Sequence, residues 1–273
     1  MTDLPYASPA PRLALPGQSP LMERVTLACL LAIPVTLVLL ALDTRVLDDE
    51  ALWLKPLKFQ MSMLVHGATL LVAARVLPTA LARSRVARSA IWATAAAMAY
   101  ELLFLSLQAA RGVRSHFNDA TLFDEIGGTL MAAGAGVLVT GPAVLGLLCL
   151  IALRARDTRT PLMAALGLGL ILGGVFAAVS GSAIGANGGP FVGAYDPSHA
   201  HWPIVGWSRE IGDLRIGHFV GLHLMQGLPL AAWALVTAFG SRLAWVAVPI
   251  MAVAGSALSL YATERALAGL PLI

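Results

Sequence analysis

The chain has 273 residues, of which 58% are hydrophobic and only 12% charged, with a net charge of +3 and a mean hydropathy of +0.79. Soluble globular domains carry about 25% charged residues, so this composition excludes an ordinary water-soluble domain. A small positive charge gives no reason to expect a nucleic-acid partner.

Residues 1–20, MTDLPYASPAPRLALPGQSP, hold five prolines and no apolar run. A signal peptide needs a basic start and a continuous apolar stretch, so this segment reads as a disordered tail. The first apolar run after it reads as an uncleaved anchor. From there to residue 273 the chain reads as one all-α domain, a polytopic bundle of seven transmembrane helices.

The spans are expected near 22–42, 56–77, 88–110, 126–152, 161–184, 214–238 and 243–265. Each is near the roughly 20 apolar residues that cross the hydrocarbon, and helices are the form that satisfies the backbone there. The fourth contains Gly141-Pro142, where a kink is expected. Cys29 and Cys149 both fall inside spans, which argues against a disulfide or a cysteine metal motif. Gly169-xxx-Gly173, Gly181-xxx-Gly185 and Gly217-xxx-Gly221 allow close helix contact within the bundle or between copies of the chain.

The tail and the 2–3, 4–5 and 6–7 connections hold ten of the 18 Lys and Arg residues, including the short runs Arg83–Arg88 and Arg154–Arg159. Basic residues in short connections mark the cytoplasmic side. The N-terminus is therefore expected in the cytoplasm and the C-terminus outside.

That orientation gathers polar residues on the outer side. The 1–2 connection and the helix after it bring Lys55 and Lys58, and the 3–4 connection brings Arg111, Arg114, Ser115, His116 and Asn118, with Asp124 and Glu125 beyond. The long 5–6 connection near 185–213 brings His199, His201 and Glu210, followed by Arg215 and His218. A connection of that length is usually functional, often a lid. Tyr195, Trp202 and Trp207 in it suit the headgroup level of a membrane.

Three ionisable residues lie deeper. His66 follows Lys58 by eight residues, Glu101 precedes Arg111 by ten, and His223 follows Arg215 by eight. At 1.5 Å per residue each lies roughly 12–15 Å below the outer boundary. Charged or titratable groups at that depth are functional candidates. Lys58, Ser62 and His66 repeat every four residues and share one stripe of the second helix, and Gln226 follows His223 by three on the sixth.

Several chemistries fit these types. His66, Glu101 and His223 offer two imidazoles and a carboxylate, a donor set for catalytic zinc or non-haem iron. A shallower set, His116, Asp124 and His218, offers the same types nearer the mouth. His66 and His223 alone suit the axial positions of a non-covalent haem b. Without any cofactor, Glu101 suits a general acid, because apolar surroundings favour a neutral carboxyl. Hydrogen bonding between helices is a further role open to each histidine.

WLKPLKF (53–59), RGVRSHFN (111–118) and GDLRIGHFVGLHLMQGLP (212–229) resemble an uncharacterised family of bacterial multi-pass membrane proteins. The resemblance covers most of the chain after residue 50 and implies the fold without an activity. A looser similarity is to seven-helix membrane hydrolases of the alkaline ceramidase and progestin-receptor type. The order Ser115, His116, Asp124, His218, His223 carries it, although the late pair here is HxxxxH rather than HxxxH.

The expected function is a membrane-embedded enzyme acting on a lipophilic substrate from the outer leaflet or the periplasm. His66, Glu101 and His223 are its expected reactive centre. Arg111, Arg114, His116, Asp124, Arg215 and Gln226 are expected to hold the substrate. A haem-bearing electron carrier and a transporter or small-molecule binding protein are the alternatives.

Overall fold

The computed structural model describes residues 19–272 apart from 49, 197–199 and 204. The expected tail at 1–20 lies almost wholly outside the described residues, and so does His199. The architecture is all-α. Helices α1 (Pro20–Leu42), α2 (Leu54–Val76), α4 (Arg85–Arg111), α5 (Leu122–Ala152), α6 (Pro161–Ala186) and α9 (Ser241–Leu267) are each long and apolar enough to cross a membrane. A short helix, α3 (Thr79–Ala82), sits between α2 and α4. The strands form two small antiparallel pairs, β1 (Val46–Leu47) with β2 (Glu50–Ala51) and β3 (Phe191–Val192) with β4 (Gly212–Asp213).

Helix starts follow from local chemistry. Ser84, Thr121 and Thr160 each accept a backbone N–H of the first turn, from Ala87, Asp124 and Met163. Such caps satisfy donors that the helix itself leaves orphaned. Pro161 follows its cap directly, where a missing N–H costs nothing.

The bundle is apolar on the outside as well as the inside. Along α1, Leu27, Leu31, Val35, Val38 and Leu42 are all exposed, and Val246, Ile250 and Val253 are exposed on α9. Faces like these belong against hydrocarbon, and together with the long apolar helices they make this a multi-pass membrane protein. The main core joins Met22 and Cys29 of α1, Met63 and Leu70 of α2, Met98 of α4, Leu145 and Cys149 of α5, and Leu166 and Leu170 of α6.

The expected sixth span departs from a single rod. It is two helices, α7 (Leu214–Leu222) and α8 (Leu224–Phe239), bent by 43° at His223. Among the described residues there are thus six candidate spans, or seven with the bent pair taken as one. At the break, both the N–H and the Nδ1 of His223 are directed at the Phe219 carbonyl, while Gln226 and Gly227 donate to the His223 carbonyl. Gly221, Gly227 and Pro229 surround the break with poor helix formers.

Small residues let α6 approach this break. A side chain on Gly169 would strike the Leu224 carbonyl oxygen at 2.6 Å, and one on Gly173 would reach the Leu222 carbonyl at 3.0 Å. Gly217 and Gly221 play the same part against Ser259 of α9 and Phe176 of α6. Gly181 faces His218 more loosely, and Gly185 meets nothing within 4 Å, so the middle pattern is not a tight contact.

The connections 43–53, 112–121 and 187–213 meet on one side and form a polar rim. Arg45 donates across to the Ala110 carbonyl, Arg114 pairs with Asp48, and Lys58 reaches the Val205 carbonyl. The long connection is docked on the last helix at Gly212, where an added Cβ would overlap the Ala266 carbonyl. Because that obstacle is backbone, Gly212→Ala should lower stability by about 1–3 kcal/mol, the range for overpacking. Thermal melting of the purified variant checks this.

Candidate functional site

The rim is a set of ion pairs, most of them local in the chain and one, Arg114 with Asp48, joining two connections. Asp43 accepts from Arg45 and from the Trp53 indole at 2.8 Å, which together hold its carboxyl well below the usual carboxylate range. Both carboxylate oxygens of Glu50 accept from Lys58 at 3.1 Å. Asp48 takes three contacts from Arg114 between 2.6 and 3.0 Å. Asp124, in the first turn of α5, accepts from Arg111, from Gln108 at 2.7 Å and from the Thr121 hydroxyl at 2.6 Å. Asp213 accepts from the Arg215 main chain and guanidinium and from the Ser208 N–H, while Arg215 also bonds the Gly206 carbonyl and covers the Phe191 ring at 4.7 Å. Arg111, Arg114 and Arg215, all expected to hold substrate, are thus each neutralised by a carboxylate.

Lys55 differs from these cations. Among the described residues no carboxylate lies at ion-pair distance from it, and its Nζ stands 3.3 Å from His116 Nδ1. It keeps solvent access while protein surrounds it on most sides, as a side chain does in a crevice. An ammonium only donates, so Nδ1 of His116 accepts and the ring proton sits on Nε2. Ser115 Oγ lies 3.0 Å from the same Nδ1, and the Phe59 and Phe117 rings flank the imidazole at 6.0 and 6.5 Å. Phe117 itself has φ +53°, a left-handed conformation seldom taken by an aromatic residue.

Burial, with Lys55 beside it, pushes His116 down to about 3. Unfolded histidine titrates near about 6.5, so between these values the unfolded chain binds the extra proton and the folded chain does not. The stabilising contribution of a neutral His116 is complete above the unfolded value and is lost as pH falls toward the folded one. Stability should therefore drop on acidification through that window, and His116→Gln should flatten the drop. Melting temperatures of both proteins across the pH series check it.

The deeper groups are buried with missing partners. His66 Nε2 on α2, Glu101 Oε1 on α4 and Gln226 Oε1 on α8 have no hydrogen-bond partner among the described residues, and neither has Gln60 Oε1, whose amide nitrogen donates to Thr36 at 2.8 Å. Glu101 Oε1 is aimed at Gly134 of α5, where a Cβ would come within 3.1 Å. His223, at the break, stacks on Phe219 with ring centroids 4.0 Å apart. Its Nδ1 faces a carbonyl and so carries the proton, leaving the Nε2 lone pair. His66 and His223 lie within electrostatic reach of each other, and Glu101 within reach of Lys55.

The two metal sets expected from the sequence do not form. Among the described residues no three or more His, Cys, Asp and Glu side chains are arranged to hold one ion. Within the deep set, His66 interacts electrostatically with His223, whereas Glu101 interacts with Lys55. The shallow set is dispersed into three networks: His116 with Lys55 and Ser115, Asp124 with Arg111 and Gln108, and His218 with Ser180. Ser180 gives its proton to the Phe176 carbonyl at 2.6 Å, so it accepts from His218 Nδ1 at 3.0 Å.

Sequence reasoning placed Lys55 at the rim without singling it out, and Gln60 escaped it altogether. Lys55 had a signal, the adjacent lysine at i+3 on a helix that otherwise turns apolar. No family model, no curated protein and no solved structure matches the chain.

Proposed function

We propose that the protein is an enzyme of the bacterial inner membrane that acts on a lipophilic substrate at a polar site within its helix bundle. The rim faces the periplasm, with the N-terminus in the cytoplasm and the C-terminus outside. Short Arg-rich connections at the opposite end, with Arg83, Arg85, Arg154 and Arg156, support that orientation.

The observation that carries the reading is the group of buried polar atoms on α2, α4 and α8 without a partner among the described residues, including His66 Nε2, Glu101 Oε1 and Gln226 Oε1. Leaving such a group unsatisfied costs about 1–3 kcal/mol. Buried polar atoms are normally paired, so orphans held by three helices favour a site completed by a substrate or water. In this reading Glu101 is the proton donor, His66 and Gln226 orient the reacting group, and His223 stands at the hinge that admits it. The crevice with Lys55 and His116 is the entrance.

The test is incubation of detergent-purified protein with vesicles of bacterial inner-membrane lipid extract, with products followed by mass spectrometry. A lipid species should be converted by the wild-type protein and left unconverted by Glu101→Gln. Equal conversion by both would overturn the assignment of Glu101.

One observation favours a transporter or binding protein instead. Broken helices at membrane depth house the binding sites of many transporters, and α7 and α8 break at His223. Uptake of a labelled lipid into proteoliposomes without chemical change would favour that reading. A Soret band abolished by His66→Ala would replace both with a haem protein.

A further inference from the structure

We infer that Lys55 and His116 form a receptor for a single oxyanion, the charged head of the molecule that enters the crevice. This deepens the reading above and rests on it for the identity of the deeper chemistry.

Five cations on the rim are already committed to carboxylates: Arg45 to Asp43, Lys58 to Glu50, Arg111 to Asp124, Arg114 to Asp48 and Arg215 to Asp213. Lys55 is not, among the described residues. Its single hydrogen-bond contact among the described residues is to a neutral ring nitrogen, which takes one proton of the ammonium and none of its charge. Two N–H groups of Lys55 remain, and the His116 tautomer fixed by that contact puts another N–H on Nε2. Asp48, Glu50 and Glu101 act on Lys55 electrostatically, but among the described residues none of them takes a hydrogen bond from it, so its remaining N–H groups are open to the ligand.

The surroundings suit an anion attached to an apolar body. Phe59 lies against His116 and also packs on the apolar clusters that hold Met63 and Leu105. Phe117, against the His116 ring, is exposed, and so is Leu122 at the start of α5. A head held at Lys55 would thus direct a chain along the α4–α5 side of the rim. The recognised chemistry is a phosphate or carboxylate oxyanion, carried by a lipid or free in solution.

Calorimetric titration of the full chain in dodecyl maltoside with decyl phosphate, decanoate and inorganic phosphate tests this. Decyl phosphate or decanoate should bind saturably, and loss of a charge-assisted contact in Lys55→Met should weaken binding about tenfold or more. Lys55→Arg keeps the charge and should stay within about threefold. Arg45→Gln, which removes a cation already paired, should bind as the wild type does.

Tighter binding of the decyl anions than of inorganic phosphate identifies a lipid headgroup, and equal binding identifies a soluble anion. Unchanged affinity in a folded Lys55→Met protein overturns the receptor, as does the absence of saturable binding by all three probes. The two readings fail separately. Glu101→Gln should lose turnover and keep anion binding, whereas a Lys55 failure with Glu101-dependent turnover intact removes only the headgroup assignment.

Discussion

Asp213→Ala should lower the unfolding free energy by about 3–5 kcal/mol, the cost of removing one partner from a buried ion pair. The Asp213 side chain is fully buried and that of Arg215 only 28% exposed. The carboxylate does three things at once. It caps α7 through the Arg215 N–H, holds the guanidinium at 2.6–2.9 Å, and accepts the Ser208 N–H at 3.0 Å. Alanine leaves an uncompensated cation over Phe191 and strands the Ser208 donor. Loss of the helix cap alone accounts for about 1 kcal/mol. Since Arg215 also ties Gly206, the 187–213 connection should come loose with it. Thermal melting reads the stability, and limited proteolysis should cut this connection sooner in the variant. A variant that melts within about 1 kcal/mol of the wild type would show that the pair contributes no more than an exposed one.

The spans were legible because the bilayer imposes a length on an apolar run, and the helix ends fall within a few residues of the hydropathy limits. The break at His223 was not, because residues on both sides of it are apolar and helical. What bends the span is the His223 ring and main chain sharing one carbonyl, together with glycines of α6 that accept the exposed turn. Neither leaves a trace in hydropathy.

For His66, Glu101 and His223, spacing along a helix gives an expected height and no azimuth. Which cations are neutralised was also hidden. Arg114 finds its carboxylate 66 residues away in the β1–β2 turn, and Arg111 finds one in the next helix. Only the assembled rim shows that Lys55 is left over. The Thr121-x-x-Asp124 pairing, in contrast, is local: the Asp124 N–H donates to the Thr121 hydroxyl oxygen, and that hydroxyl donates to the Asp124 carboxylate.

Glu101→Gln should reduce lipid turnover by about 10²–10⁴-fold, the contribution of a positioned general acid. Glutamine nearly preserves shape, and its amide can still donate to a hydrogen-bond acceptor, but it cannot surrender a proton to a leaving group. The substitution therefore separates chemistry from packing. Glu101 is 2% exposed, and its Oε1 makes no hydrogen bond among the described residues. No ion pair is broken by the change, so melting should move by less than about 1 kcal/mol. Glu101→Asp keeps the acid and withdraws it by one methylene, so it should retain part of the activity, because small displacements of a catalytic group still cost up to about 10²-fold. The order wild type, Asp, Gln in turnover, at similar melting temperatures, is the signature of proton donation. Equal losses for Asp and Gln with both proteins destabilised would instead make Glu101 a packing residue against Gly134.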